Sequence, residues 1–168
     1  MELLGEIYDS DIIGDNSYFE WIYKVRKASR ALVYNELNQI AILFVSKDNY
    51  HKLPWGWVEE WENIKETVKR EVKEEVWWNI SIWKEIGLIL EYRKKIEQLQ
   101  ISYCYISKLL WKLEDTAFTE KEIADGFQLK WVTLDEAIKI LESDSPKNYV
   151  GKYIVKRDLI FLKNWRIK

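Results

Sequence analysis

Two apolar stretches stand out early in the chain, Ala31-Leu32-Val33-Tyr34 and Ile40-Ala41-Ile42-Leu43-Phe44-Val45. The polar run Asn35–Gln39 separates them, and its asparagines favour a turn, so the two stretches read as neighbouring strands. The period then lengthens. Ile64, Val68, Val72 and Val76 recur every four residues, the buried stripe of a helix, and Asn63 with Glu66 three residues on forms a capping-box start. Strand signals return over Ile80–Tyr92 and Ile101–Leu110, both rich in β-branched and aromatic residues. Glu114–Asp125 reads as an acidic loop and Phe127–Val132 as a strand. Thr133 with Glu136 caps a helix running to about Leu141. Ser143-Asp144-Ser145-Pro146 breaks the chain, and Tyr149–Trp165 forms a last amphipathic helix. This order of elements predicts an α/β (α+β) fold with mixed strands.

A length of 168 residues suits a single domain spanning 1–168, with its core over about 27–142 and a C-terminal helix over about 149–165. A chain of that size buries about 70% of its unfolded surface. Apolar residues make up 48% and charged residues 32%, which describes an ordinary globular protein. The net charge of −2 gives no basis for non-specific binding to DNA or a membrane. The single cysteine, Cys104, excludes an intramolecular disulfide and sits in an apolar run as a core residue. His51, the single histidine, lacks a partner for a zinc site and is expected at the surface. Met1–Glu6 carries neither a basic n-region nor a long apolar stretch, and no run approaches a membrane span, so a cytoplasmic location is expected.

The candidate chemistry lies between Gly56 and Trp78. On a helix, Glu71, Glu74 and Glu75 stand at i, i+3 and i+4, so their carboxylates share one face. Like charges so placed repel by about 0.2–0.5 kcal/mol per pair, unless a cation sits over them. A hard divalent ion held by oxygen ligands, alongside substrate phosphates, would account for the cluster. A solvated helix face balanced by Lys65, Lys69, Arg70 and Lys73 is the plainer alternative.

Gly56, then Glu62, Arg70-Glu71, Val72 and Glu74-Glu75, with Leu53-Pro54 upstream, resemble the signature of the Nudix hydrolases at every spacing. The final glycine of that pattern is replaced by Trp77. The resemblance covers roughly residues 27–142 and implies a Nudix-type α/β/α sandwich with a mixed sheet. It also implies metal-dependent hydrolysis of a diphosphate linkage in a nucleoside diphosphate derivative, such as an (oxidised) nucleoside triphosphate or an ADP-ribose-like compound. By this resemblance Glu71 and Glu75 are the principal ligands of Mg²⁺ (or Mn²⁺), Glu74 serves a second ion, and the Gly56 carbonyl completes the set. Arg70 orients a carboxylate, with Glu62 as one partner and a surface pair with Glu66 or Glu74 as the other reading. Glu122 is the candidate for an assisting loop carboxylate, with Glu120 and Asp125 behind it. The catalytic set is thus Arg70, Glu74 and Glu122, and the partner a small-molecule nucleotide. A homodimer is left open. Arg26, Arg30, Lys52 and Arg93 could meet phosphates and Tyr92 could stack a base, although each is more often ordinary surface. The alternative function is a catalytically silent Nudix scaffold that binds a nucleotide or a partner.

Trp55, Trp61 and Trp77 stand where the resemblance expects glycine. The chain holds ten Trp and only six Gly, under the usual ~7% for glycine. We read several of these tryptophans as glycine codons translated under the wrong genetic code, UGA being the codon whose meaning varies; a genuinely Trp-rich chain is the alternative. If they are tryptophan, each occupies a backbone site suited to glycine, Trp77 at a left-handed helix end. Trp78 and Trp131 read as genuine, while Trp21, Trp83, Trp111 and Trp165 stay open.

Overall fold

The computed structural model describes residues 1–16, 22–112 and 126–167. Its strands form one mixed sheet. In chain order they are β1 (Leu3–Tyr8), β2 (Lys24–Tyr34), β3 (Ile40–Val45), β4 (Tyr50–Lys52), β5 (Trp55–Trp57), β6 (Trp78–Arg93), β7 (Gln98–Lys112) and β8 (Phe127–Val132). The helices are α1 (Asp9–Ile13), α2 (Ile64–Val76), α3 (Leu134–Ser143) and α4 (Tyr149–Ile167). Strand order is β1-β6-β7-β2-β3-β4, with β5 paired to β2 and β8 to β3. β1 runs parallel to β6 and β2 parallel to β7; the other pairs are antiparallel.

Alternation along β2 explains the three layers. Ala31 and Val33 face α2 and pack with its fully buried Val68, Val72 and Val76, together with Ala41, Ile80 and Tyr105. Leu32 points the other way, into the larger core of Ile40, Ile42, Ile89 and Ile106 against Ile138 and Leu141 of α3 and Ile154, Phe161 and Leu162 of α4. Helices thus cover both faces of the sheet, the expected α/β/α arrangement.

Most predicted elements lie where the pattern places them, β3 and β8 to the residue. The cap of α2 is formed as read: Asn63 accepts from the backbone N–H of Lys65 and Glu66, and Glu66 reaches back to the Asn63 N–H at 3.0 Å. Cys104 is fully buried. α1, β4 and β5 carry too few residues to show a period, and β1 breaks its apolar run with Gly5 and Glu6, so the pattern does not predict these four.

The charged residues depart from expectation. His51 is buried, not at the surface, because its ring Nδ1 lies 2.9 Å from the Asp144 carboxylate and its Nε2 3.0 Å from Lys130 Nζ. Arg30, Lys52 and Arg93 are buried as well, each beside a carboxylate, whereas Arg26 stays exposed and stacks on Trp57 at 3.6 Å. Tyr92 is already stacked on Tyr8, ring centres 4.6 Å apart. Among the described residues, no helix is long and apolar enough to cross a membrane.

Candidate active site

Two elements build the site: the loop through β5 and the outward face of α2. β5 pairs with β2 over Ala28–Arg30, and the Trp55 N–H donates to Glu75 at 2.9 Å, so the loop is pinned to the sheet on one side and to the helix on the other. Gly56 is where the two elements meet. A Cβ at this position would overlap the Glu71 carboxylate and displace it, so it is the close approach to Glu71, not an unusual φ, that favours glycine here.

Arg70 organises the acids. Its guanidinium forms a two-pronged pair with Glu62, Nε to Oε1 at 2.6 Å and Nη2 to Oε2 at 3.0 Å. It also donates to Glu71 at 2.7 Å, to Glu74 at 3.3 Å and to the Trp57 carbonyl at 3.2 Å. The geometry therefore selects the Glu62 partner and adds Glu74 as a weaker one. Thr67 holds Glu62 from the other side at 3.1 Å. These bonds keep Glu62 ionised below the usual carboxylate range, the Arg70 bond being the main cause.

Glu75 points inward. It is 2% exposed and accepts from Lys52 Nζ at 2.6 Å. Glu71 sits between this buried pair and Arg70. Burial pushes its carboxyl up to about 8, the neighbouring Glu75 charge adds to the rise, and Arg70 opposes it. Four carboxylates (Glu62, Glu71, Glu74, Glu75) thus meet two cations (Arg70, Lys52) in direct contact, a formal excess of two negative charges. Among the described residues, no three acidic, histidine or cysteine side chains are grouped so that they could hold a metal ion as they stand. Glu122, with Glu120 and Asp125, lies outside the described residues.

The tryptophans differ from one another. Trp77 ends α2 at φ 67°, ψ 32°, the left-handed cap that favours glycine. Trp55 and Trp61 are not at positive φ, so the backbone-strain expectation is corrected for those two. Trp61 is 78% exposed, and no packing there calls for an indole. Trp165 donates its indole N–H to Tyr34 at 2.9 Å and packs against the core. Trp78 and Trp131 also pack against buried residues, and Trp21 lies outside the described ones.

Sequence reasoning missed the inward turn of Glu75 and the role of Lys52. A lysine next to a buried leucine-proline pair carries no signal that its partner lies 23 residues ahead.

The NUDIX domain model matches residues 24–152. No curated protein matches the chain. Among solved structures, the chain is similar to a NUDIX hydrolase from Nitrosomonas europaea, with 14% identity and a TM-score of 0.62 over 86% of this chain and 90% of that one. It also resembles a MutT protein from Methanosarcina mazei, with 19% identity and a TM-score of 0.57 over 87% and 98% of the two chains. An ADP-ribose pyrophosphatase from Streptococcus suis aligns at 20% identity and a TM-score of 0.53, over 84% and 92%. At these identities the neighbours establish the fold, and the domain match, over more than half of the chain, establishes the family: the chain belongs to the NUDIX domain family.

Proposed function

We propose that this protein is a metal-dependent pyrophosphohydrolase that cleaves the diphosphate linkage of a nucleoside diphosphate derivative. The observation that carries the reading is the meeting of Gly56 with Glu71, because that close approach brings a loop backbone against a half-buried acid flanked by Glu74 and Glu75. The donor set suits a hard divalent cation. Oxygen donors lie along one helix face, their formal excess of two negative charges matches a Mg²⁺ or Mn²⁺ ion, and Glu71 shares its one cationic partner, Arg70, with Glu62 and Glu74.

Glu71 and Glu75 would be the main ligands, Glu74 would serve a second ion, and the Gly56 carbonyl would contribute from the loop. Such an ion, when bound, neutralises phosphate charge and acidifies water. The chain itself supplies positioning. Arg70 fixes Glu71 and Glu62 by bidentate and single bonds, so the acids keep one geometry as substrate enters. Lys52 donates to Glu75 and fixes its carboxylate beneath the loop. Glu122 is proposed as the assisting loop acid.

The neighbour named an ADP-ribose pyrophosphatase supports ADP-ribose-like compounds as one substrate group, and (oxidised) nucleoside triphosphates are the other group that the box resemblance implies. A screen over both groups with Mg²⁺ or Mn²⁺ tests the reading, with pyrophosphate from the triphosphates detected through inorganic pyrophosphatase and the two monophosphate products of ADP-ribose-like compounds detected through alkaline phosphatase. Turnover on at least one diphosphate substrate is expected, and none on any would refute it. The second reading, a silent nucleotide-binding scaffold, draws on the Trp55 indole beside the acids; nucleotide binding without turnover in that screen would favour it. We place the protein in the cytoplasm, acting on small nucleotides and not on DNA, with a homodimer left open.

A further inference from the structure

Beneath β5, between the sheet and α4, lies a buried charge network that leaves one of its cations without a hydrogen bond among the described residues. Arg30 and Arg157 are fully buried and Arg93 is 2% exposed, beside the buried acids Glu91 and Asp158. The Lys52–Glu75 pair lies alongside, and a further buried acid, Asp9, accepts from the Tyr149 and Tyr153 hydroxyls. Glu91 pairs with Arg93 and Arg157, and is further held by Ser102 and Gln100. Asp158 pairs with Arg157 at 2.8 Å and accepts from the Leu53 N–H at 2.9 Å.

Arg30 is left over. Its nearest acid oxygen, on Asp158, is 3.9 Å away, and among the described residues none of its three guanidinium nitrogens makes a hydrogen bond. Arg157 has one nitrogen in the same condition. A buried guanidinium without hydrogen-bond acceptors is strongly disfavoured.

What these cations face is the indole of Trp55. Arg30 and Lys52 stand 5.5 Å from its ring centre and Arg157 5.4 Å. Cation–π attraction at such distances stabilises a charge, but it does not satisfy five guanidinium donors. The indole N–H is buried and without an acceptor too, so the ring fills the space without completing its polar surroundings. Trp55 is itself only half-buried, so one edge of this space opens to solvent, next to Gly56 and Glu71.

We propose that Arg30, Lys52 and Arg157 form a subsite for a phosphate group, and that the indole of Trp55 plugs it. The proposal rests on the hydrolase reading only for the identity of the natural ligand, a substrate phosphate; the anion site itself follows from the orphaned donors. A side chain at position 55 thereby sets whether the phosphate of a nucleotide can reach behind the box acids. Where the native polypeptide carries glycine at 55, the subsite is open.

The test uses inorganic phosphate and the full chain, in chelator at constant ionic strength, so that no metal at the acids contributes. Phosphate binding is measured by calorimetric titration and by the shift in unfolding temperature, for the parent, Trp55→Gly, Trp55→Ala and Trp55→Gly/Arg30→Met. Trp55→Gly is expected to bind phosphate at least tenfold more tightly than the parent, with the gain lost in the double variant. A second arm substitutes Glu71→Gln into Trp55→Gly: phosphate binding persists there even where hydrolysis is abolished, which separates this site from the hydrolase reading. Folded Trp55→Gly or Trp55→Ala that binds phosphate no better than the parent would overturn the proposal. So would binding that survives Arg30→Met, or a failure of both single variants to fold, since the indole would then be a structural requirement and not a plug.

Discussion

Glu71→Gln removes a charge that the fold disfavours, and its consequences can be worked out in advance. The Glu71 carboxyl moves from its ordinary 4.5 up to about 8, chiefly through burial and then through Glu75. The folded state therefore binds a proton more tightly than the unfolded chain between those two values. Stability contributed by this group is complete below pH 4.5 and is lost as pH rises towards 8. At pH 7 the ionised group, or the proton it must take up, costs the fold about 3 kcal/mol, at about 1.4 kcal/mol per tenfold change in protonation. Glutamine mimics the protonated acid, and the rise to about 8 already includes the opposing bond from Arg70, so the net gain at pH 7 is about 3 kcal/mol; it grows with pH and levels off above about pH 8. Urea unfolding of parent and variant from pH 5 to 8.5, in chelator, reads this directly: the stability difference should grow steadily in favour of the variant. Saturating Mg²⁺ should flatten or reverse the parent's loss, because ligand binding requires the ionised acid. A difference that stays constant across that pH range would refute the reasoning.

Three further outcomes follow from the same geometry. Val68→Asp and Val72→Asp place an unpaired charge in the inner face of α2 and should cost about 3–5 kcal/mol, while Lys65→Asp and Lys73→Asp cost far less; equal losses in thermal unfolding would show the helix faces to be misassigned. Asn63→Ala removes the α2 cap and should cost about 1 kcal/mol by the same measurement. Trp77→Gly relieves a left-handed residue and should stabilise the chain by about 1 kcal/mol, with peptide sequencing across Leu53–Trp78 of the native polypeptide showing whether position 77 is glycine already; a destabilised Trp77→Gly chain would contradict the strain argument.

How far the sequence speaks depends on the residue. Ile64, Val68, Val72 and Val76 announce α2 because a four-residue period is a local property, and Asn63 with Glu66 marks its start for the same reason. The box acids are equally local, sharing a face by spacing alone. The two-pronged Arg70–Glu62 bond could be anticipated only as one of several pairs, since each acid within reach was an equal candidate until the loop fixed Glu62 in place. Arg30, Arg93, Arg157 and Glu91 were unreadable. Their burial depends on strands β2, β6 and β7 and helix α4 meeting across more than a hundred residues, and an isolated charge in a sequence reads as surface. Trp55 and Trp61 illustrate the opposite error. Their departure from a glycine pattern suggested left-handed backbone, yet only Trp77 adopts it.

The central claim is that the acids on α2 hold a divalent ion that supports diphosphate hydrolysis. The most direct test is hydrolysis of the best substrate from the nucleotide screen by the parent and by Glu71→Gln/Glu75→Gln, each with Mg²⁺ and with excess chelator, with folding checked by circular dichroism. Turnover is predicted only for the parent with Mg²⁺, while the folded double variant is silent. Hydrolysis undiminished in the double variant, or in chelator, would contradict the account.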